Sequence, residues 1–464
     1  IDDESEFSLV LNATDQPVAN DPGGITLTQA QTDPTSARQR NVDFDSGEAL
    51  DQQRIGLSYK KSFGERHEIR IRNHYVWRDF ANKLPFVGGG AVQFDRFFIG
   101  GGATYAYSGE LWGLPYNLIV GTDIDRQDDD RKRFDNNTGV LGPLVLDQTE
   151  LVTSIGVFVQ NEIALSEDFA LTLGVRYDEV EFDVKDHFLA DGDNSGSRTL
   201  SETSPMIGIV YSPSEATNLY ATISTAFETP TTTEFANPSG AGGFNPNVDP
   251  QLATNYEVGI RGTLGERNRY ELSLFTIDVE DELIPFELAT QPGRDFFSNA
   301  GKSTRNGAEF SFVSQPVEGL RLSVAYTYSD FNFDRFLDDN GNDFSGNALP
   351  GIPDTLFRGE VAYTHSSGLY GAIDLLNVGK FFVNNANTAV NESYRVMNLR
   401  VGRVDLRLGD WIFSPFVGVN NLTDEKYAAN ARINAFGGRY FEPAPERHFY
   451  GGVAIRYNFG RGQE

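Results

Sequence analysis

Arginine and aromatic side chains crowd together at a few places in this 464-residue chain. The stretch VWRDFANKLPFVGGGAVQFDRFF offers Trp77, Arg78, Phe80, Phe86, Phe94, Arg96, Phe97 and Phe98. Further groups are Arg294 with Phe296 and Phe297, then Arg305, then Arg439 with Tyr440 and Phe441. A planar guanidinium grips carboxylates through paired hydrogen bonds, and aromatic faces attract cations and stack on flat ligands. Such groups suit the capture of an anionic or aromatic ligand. The same aromatics also serve as membrane-interface girdles or as loop packing. Arg78, Arg96 and Arg439 stand out because each lies among aromatics near a strand–loop junction.

A second constellation concerns metal. Asp191, Asp193, Ser195 and Gly196 followed by Glu202 match the spacing of a calcium loop, with oxygens at positions 1, 3, 5 and 12. Strands rather than helices flank it, so a solvated acidic loop is the plainer reading. The run Asp338 to Asp343 is a weaker match. Enzyme chemistry has little support: five histidines lie in no metal-ligand spacing, no cysteine exists, and Gly100, Gly101 and Gly102 precede no helix that could cradle phosphate. A net charge of −28 opposes nucleic acid, whose phosphates need basic surface.

These residues must be carried by strands. From His448 to Phe459 the sequence reads HFYGGVAIRYNF, with Phe449, Val453, Ile455, Tyr457 and Phe459 on one face and small or polar residues on the other. Phe169 to Asp178 alternates in the same way, as do Asn218 to Phe227, Asn255 to Leu264 and Leu320 to Ser329. No apolar run reaches the ~20 residues a spanning helix needs, whereas barrel strands dilute their apolar residues with inward polar ones. The 35 Phe, 19 Tyr and 47 Gly fit a barrel with aromatic girdles. Tight links are expected at Gly64-Glu65, Ser166 to Asp168, Pro213 to Ala216, Gly265 to Arg267, Pro316 to Gly319, Ser366 to Gly368 and Gly409-Asp410. Long polar links are expected near 12–52, 79–92, 129–147, 185–200, 228–253, 282–304, 334–353, 382–393 and 422–447. Short turns on one side and long loops on the other describe an outer-membrane barrel. The fold expected is therefore all-β, an antiparallel transmembrane β-barrel. It has about 18 strands of an expected 22, with short periplasmic turns and long extracellular loops.

Several stretches resemble TonB-dependent outer-membrane receptors of the ferric-siderophore type. AFETPTTTEFANPSG from Ala226, followed by GFNPNVDPQLATNYEVGIRG, is similar to that family's mid-barrel loop and next strand. FFSNAGKSTRNGAEF, from Phe296 to Phe310, is similar to its next loop-to-strand passage. The closing VNNLTDEKYAANARINAFGGRYFEPAPERHFYGGVAIRYNF resembles its C-terminal hairpin, although Gly460 to Glu464 follow the aromatic on which members commonly end. The stretch from Asn20 to Tyr59 resembles the ferric-dicitrate branch. The resemblance covers residues 1–464 as one barrel domain. The family's plug and first strands have no counterpart, and the opening IDDESEF with no Met points to something absent upstream.

The resemblance implies a receptor of the Gram-negative outer membrane, monomeric and set among lipopolysaccharide. It binds a ferric siderophore or chelate and imports it with energy from the TonB-ExbB-ExbD system through the plug. No covalent cofactor is expected; calcium on an outer loop is the metal reading. The ligand-binding candidates are Arg78, Phe80, Phe94, Arg96, Phe97, Arg294, Phe296, Arg305, Arg439 and Tyr440. Within the same mechanism the cargo could be a vitamin or sugar. A passive porin and a surface-interaction protein are the competing classes, and an isolated set of strands is expected to assemble poorly because its edges lack partners.

Overall fold

A strand that crosses lipid finds no water for its N–H and C=O groups, so each group needs a neighbouring strand. In the computed structural model, which describes residues 4–235, 237, 245, 247–288, 295–299, 301–338 and 341–458, an antiparallel meander meets that need. It begins with β1 (Ser5–Asn20), β2 (Gly47–Phe63), β3 (His67–Lys83), β4 (Ala91–Leu111), β5 (Leu114–Asn137), β6 (Val140–Ala164), β7 (Phe169–Asp186) and β8 (Gly196–Ser214). Strands β9 (Thr217–Glu228), β10 (Gln251–Thr263) and β11 (Asn268–Glu280) follow, then a small loop hairpin, β12 (Leu283–Glu287) and β13 (Asp295–Asn299). The meander resumes with β14 (Lys302–Ser314), β15 (Leu320–Arg335), β16 (Thr355–Thr364) and β17 (Leu369–Val378). A loop pair, β18 (Phe381–Phe382) and β19 (Val390–Asn391), precedes β20 (Tyr394–Arg403), β21 (Leu406–Leu408) and β22 (Trp411–Asn420). A last loop pair, β23 (Ala428–Ala431) and β24 (Phe441–Pro443), leads into β25 (His448–Tyr457). The main sheet has 19 strands; β21 is a three-residue continuation of β20 toward the turn, which leaves 18 crossings as the alternation requires.

Every crossing except the first and last is paired on both sides. Among the described residues β1 pairs with β2 alone and β25 with β22 alone, and both are exposed along almost their whole length. The sheet curls enough that the loops beyond these two ends meet: Ile25 and Phe441 exchange both backbone hydrogen bonds, at 2.9 and 3.1 Å. In the loop between β1 and β2, helix α1 (Leu27–Thr32) opens on a capping box from Thr26 and Gln29, and α2 (Gln39–Asp43) follows.

The expected tight links all occur. At two of them Gly64 and Gly265, with φ of 64° and 66°, adopt the left-handed conformation such turns require. One expected long link is corrected. Residues 129–147 are not a loop; β5 and β6 continue through them and close at Thr138-Gly139. Strand lengths show why the polar sequence misled. Strands β4 to β8 run for 21, 24, 25, 18 and 19 residues, whereas β16, β17, β20, β22 and β25 have ten each. Crossing lipid takes about 9–11 residues, so the long hairpins stand in water where no greasy face is needed. The link at 12–52 is likewise shortened by β1 and β2, and 282–304 contains the β12–β13 hairpin. Phe459 and the tail from Gly460 to Glu464 lie outside the described residues.

Alternation sets the two faces. The outer wall carries aromatic pairs at both rims, Trp77 with Phe97 at 5.7 Å on one side and Trp411 with Tyr457 at 4.8 Å on the other. Two residues beyond the Trp77–Phe97 pair, Asp15, Asp51, Asp79, Asp95 and Asp130 face one another in one row across β1 to β5. Like charges directly opposite in a sheet repel. Asp79→Asn and Asp95→Asn are therefore each expected to stabilise the barrel, by about 0.2–1 kcal/mol per relieved neighbour. The gain should shrink as salt is raised. Urea unfolding in detergent measures it; lower stability for either variant at low salt contradicts the account.

Candidate ligand vestibule

On β3 the even-numbered side chains face inward and on β4 they do the same, because the register pairs Arg78 with Arg96 and Phe80 with Phe94. Four sequence candidates thus meet on one patch of the inner wall. The Phe80 and Phe94 rings stack at 4.8 Å, and the Arg96 guanidinium lies 4.9 Å from the centre of Phe94. Arg96 also grips Asp129 with two bonds of 2.7 and 2.6 Å. Arg78 donates to the amide oxygen of Gln52 at 2.8 and 2.5 Å, and among the described residues no carboxylate pairs with it. Its positive charge is left available toward the lumen. Phe97 departs from expectation: being odd-numbered, it points outward onto Trp77 and is a girdle residue.

Beside this patch the wall is charged and buried. Arg131 reaches Glu150 at 3.4 Å and Thr233 of the β9–β10 loop at 3.2 Å, while Gln148 donates to Glu150 at 2.6 Å. Glu150 is only 1% exposed because the segment around Phe235 folds over it, packing Phe235 edge-on to Phe182 at 5.1 Å. Lower down, Arg72 and Arg176 share Asp123 at 2.6 and 3.1 Å. The glycine run on β4 makes room for this, since a Cβ at Gly102 would strike the Asp123 carboxylate and one at Gly100 would strike Asp125.

The remaining candidates scatter among the outer loops. Phe296 is wholly buried and packs on Phe286 at 6.0 Å, so it supports the β12–β13 hairpin and offers no surface to a ligand. Arg305 bonds Glu282 at 2.6 Å, and Ser303 donates to the same carboxylate, which fixes the base of that hairpin. Arg439 lies 5.9 Å over Phe436 without a carboxylate partner among the described residues; Tyr440 meets Phe441 edge-on at 6.2 Å. Arg294 falls outside the described residues. The calcium-loop residues do not converge, and no group of three or more His, Cys, Asp or Glu able to hold a metal exists among the described residues. Asp193 instead accepts from the Ser195 N–H at 3.0 Å, and the Ser195 hydroxyl and N–H hold its carboxyl below the ordinary range. Ser195 Oγ accepts from the Asp186 N–H, Asp191 is exposed, and Glu202 accepts from the N–H of its own neighbour Thr203.

Sequence reasoning missed the residues that tie the mouth together. Arg432 bonds Glu442 at 2.6 Å and Asp21 at 2.8 Å, joining the last outer loop to the first. Burial opposes its charge, yet Glu442 and Asp21 hold its pKa above the ordinary value. Asn434 accepts from the Asn385 N–H at 2.8 Å and donates to the Pro285 carbonyl at 3.4 Å, adding two further loops. No alternation marks such residues, because most of their partners come from other loops, as far away in the sequence as Asp21 is from Arg432.

Residues 2–422 match the family model for "TonB dependent receptor-like, beta-barrel". The ferrioxamine B receptor of Salmonella typhimurium is 24% identical over 437 residues, covering 86% of this chain and 58% of the relative. The metal-pseudopaline receptor CntO of Pseudomonas aeruginosa is 25% identical over 301 residues, covering 63% of this chain and 38% of the relative. The chain therefore spans between about two fifths and three fifths of the length of these relatives. Among solved structures, the unliganded ferric citrate transporter FecA superposes with a TM-score of 0.79 at 16% identity, over 98% of this chain and 68% of that one. The siderophore receptor PiuA of Acinetobacter baumannii gives 0.74 at 15%, over 97% and 71%.

The buried Glu150 yields a test of the wall. Glu150→Leu leaves Arg131 without its carboxylate and is expected to cost on the order of 3 kcal/mol in urea unfolding. Adding Arg131→Met should recover most of that loss. Equal stability of the single variant and the parent would refute the role given to this pair.

Proposed function

This chain belongs to the TonB dependent receptor-like β-barrel family, and we propose that it forms the wall and outer vestibule of a receptor that imports a ferric siderophore or chelate with TonB energy. The family is one of transport receptors in β-barrels of the Gram-negative outer membrane. The observation that carries the ligand reading is the inward patch of Arg78, Phe80 and Phe94. A cation without a carboxylate, beside two stacked rings, offers charge to an anionic chelate and a flat face to its apolar parts. Arg439 and Tyr440 on the last outer loop are the second contact from above. Arg96 positions the patch, since Asp129 already occupies its fork.

Curated relatives named for ferrioxamine B and for ferrichrome support iron as cargo. The relative named for metal-pseudopaline supports a wider class of metal chelates as the second reading. In the proposed mechanism the ligand settles on the wall patch beneath the loops, and the TonB-ExbB-ExbD system acts through a plug domain inside the barrel. Lipopolysaccharide surrounds the outer wall, the 464 residues work as one barrel domain, and the receptor is monomeric.

Receptor-deficient cells expressing the full-length receptor provide the test. Radio-iron uptake across a panel of ferric chelates should select one chemical class and vanish in cells without TonB. Arg78→Ala should weaken binding of that chelate by about ten-fold, the scale of one charge-assisted contact. Uptake that persists without TonB would favour a passive pore, and no uptake of any chelate would remove iron as the cargo.

A further inference from the structure

The inner wall carries a second cation beside Arg78. Arg54 lies two residues from Gln52 on β2, and side chains two apart share one face of a strand. It therefore points inward with Gln52, whose amide oxygen holds Arg78 across the strand pair. Arg54 is exposed, and among the described residues its side chain has neither an ion pair nor a hydrogen bond.

The positions around these two cations supply no neutralising charge. On the inward face Arg54 stands between Asn12 of β1 and Val76 of β3, and Gln52 between Thr14 and Arg78. Arg78 in turn stands opposite Arg96 of β4, which is already engaged with Asp129. Below them the Asp125 carboxylate lies 3.5 Å from His74. Above them Glu48 is four residues from Gln52, about 13 Å along the strand. Three guanidiniums on adjacent strands thus have one carboxylate, Asp129, in contact among the described residues. Lower on the same wall Arg72 and Arg176 close on Asp123 instead. Like charges set opposite in a sheet destabilise it, so the fold gains nothing from this grouping.

Arg54 and Arg78 are diagonal neighbours, which sets them roughly 7–8 Å apart at the backbone. A guanidinium fork grips a carboxylate edge through two parallel N–H···O bonds, so two forks at that spacing suit two anionic groups of one ligand. Gln52 fits its place between them. Its amide oxygen accepts two bonds from Arg78 and aims the fork, yet leaves the charge whole, as a glutamate of the same size would not. The stacked Phe80 and Phe94 rings lie on the far side of Arg78 and seat the flat part of such a ligand.

We propose that Arg54 and Arg78 form a paired-arginine site for a metal chelate presenting at least two anionic groups, with Gln52 as the positioning residue. The inference rests on the transport reading above and narrows its ligand from anionic chelates in general to multiply anionic ones.

The test measures binding of radio-iron chelates to receptor-deficient cells expressing the full-length receptor. The panel is graded in charge, from neutral ferric trihydroxamates to ferric polycarboxylates carrying two or more negative charges. The wild type should bind a multiply anionic member about ten-fold more tightly than any neutral one. Gln52→Glu, which adds a carboxylate at unchanged size, should weaken that chelate about ten-fold. Arg54→Gln should weaken it to a similar degree, and Arg54→Lys should recover part of the loss. Both weakened variants should also show a flatter salt dependence, which a purely structural role would not produce. Asp79→Asn on the outer wall should bind as the wild type does. TonB-dependent uptake of a neutral chelate in preference to anionic ones overturns the paired site and leaves transport intact. Full affinity for the preferred anionic chelate in Arg54→Gln or in Gln52→Glu does the same. Binding and uptake of no chelate overturns the transport reading and the paired site together.

Discussion

Backbone hydrogen bonding inside lipid is the constraint from which this architecture follows. Each peptide group within the hydrocarbon must find a partner on an adjacent strand, so the chain can cross only as a continuous antiparallel ladder. The ladder forces alternation, and alternation divides every strand into a lipid face and a lumen face. Trp77 and Phe97 are thereby fixed outside, Arg78 and Arg96 inside, by nothing more than their parity. At β1 and β25 the ladder stops, and loops above the membrane link across that interval through Ile25, Phe441 and Arg432. Such loop contacts leave the edges themselves without strand partners among the described residues.

Inside the wall a second rule operates. Charges removed from bulk water need close partners, and four arginines of the wall have carboxylates: Arg72 and Arg176 on Asp123, Arg96 on Asp129, Arg131 on Glu150. Others rest on aromatic faces, Arg261 over Tyr220 and Arg400 over Tyr370. Arg78 differs in meeting the neutral amide of Gln52 beside the stacked Phe80 and Phe94 rings. The outer loops obey ordinary packing rules too. Two apolar clusters, around Phe333 and around Phe235, make them a folded canopy, not solvated strings.

The period-two pattern made the crossings and the inner turns legible, since both are dictated by local sequence. The long β5–β6 hairpin was not legible beyond Asp129, because a strand standing in water can be polar on both faces and then looks like a loop. At the candidate site, the pairing of Arg78, Phe80, Phe94 and Arg96 was readable from their clustering, whereas the outward turn of Phe97 required the register. An aromatic in a loop can face a ligand or a small core, and only the fold shows that Phe296 is buried against Phe286. The calcium spacing depends on the fold in a related way: oxygens at suitable intervals become ligands only when the backbone curls around a common centre, and in this structure neighbouring N–H groups bond Asp193 and Glu202. Arg432 and Asn434 left no trace because their partners come from remote loops.

The uneven strand lengths make the rim slope. Strands β5 and β6, with 24 and 25 residues, rise as a parapet, while the ten-residue strands from β16 onward end near the membrane surface. At about 3.3 Å per residue, the high side exceeds the low side by roughly 50 Å along the strand direction. On the low side the height of the mouth is supplied by loops instead, β18–β19 and β23–β24 among them. One side is thus a stiff hydrogen-bonded blade, and the other a rim whose shape is set by side-chain contacts such as Arg432 with Asp21; the Arg78 patch lies beside the blade, on β3 and β4.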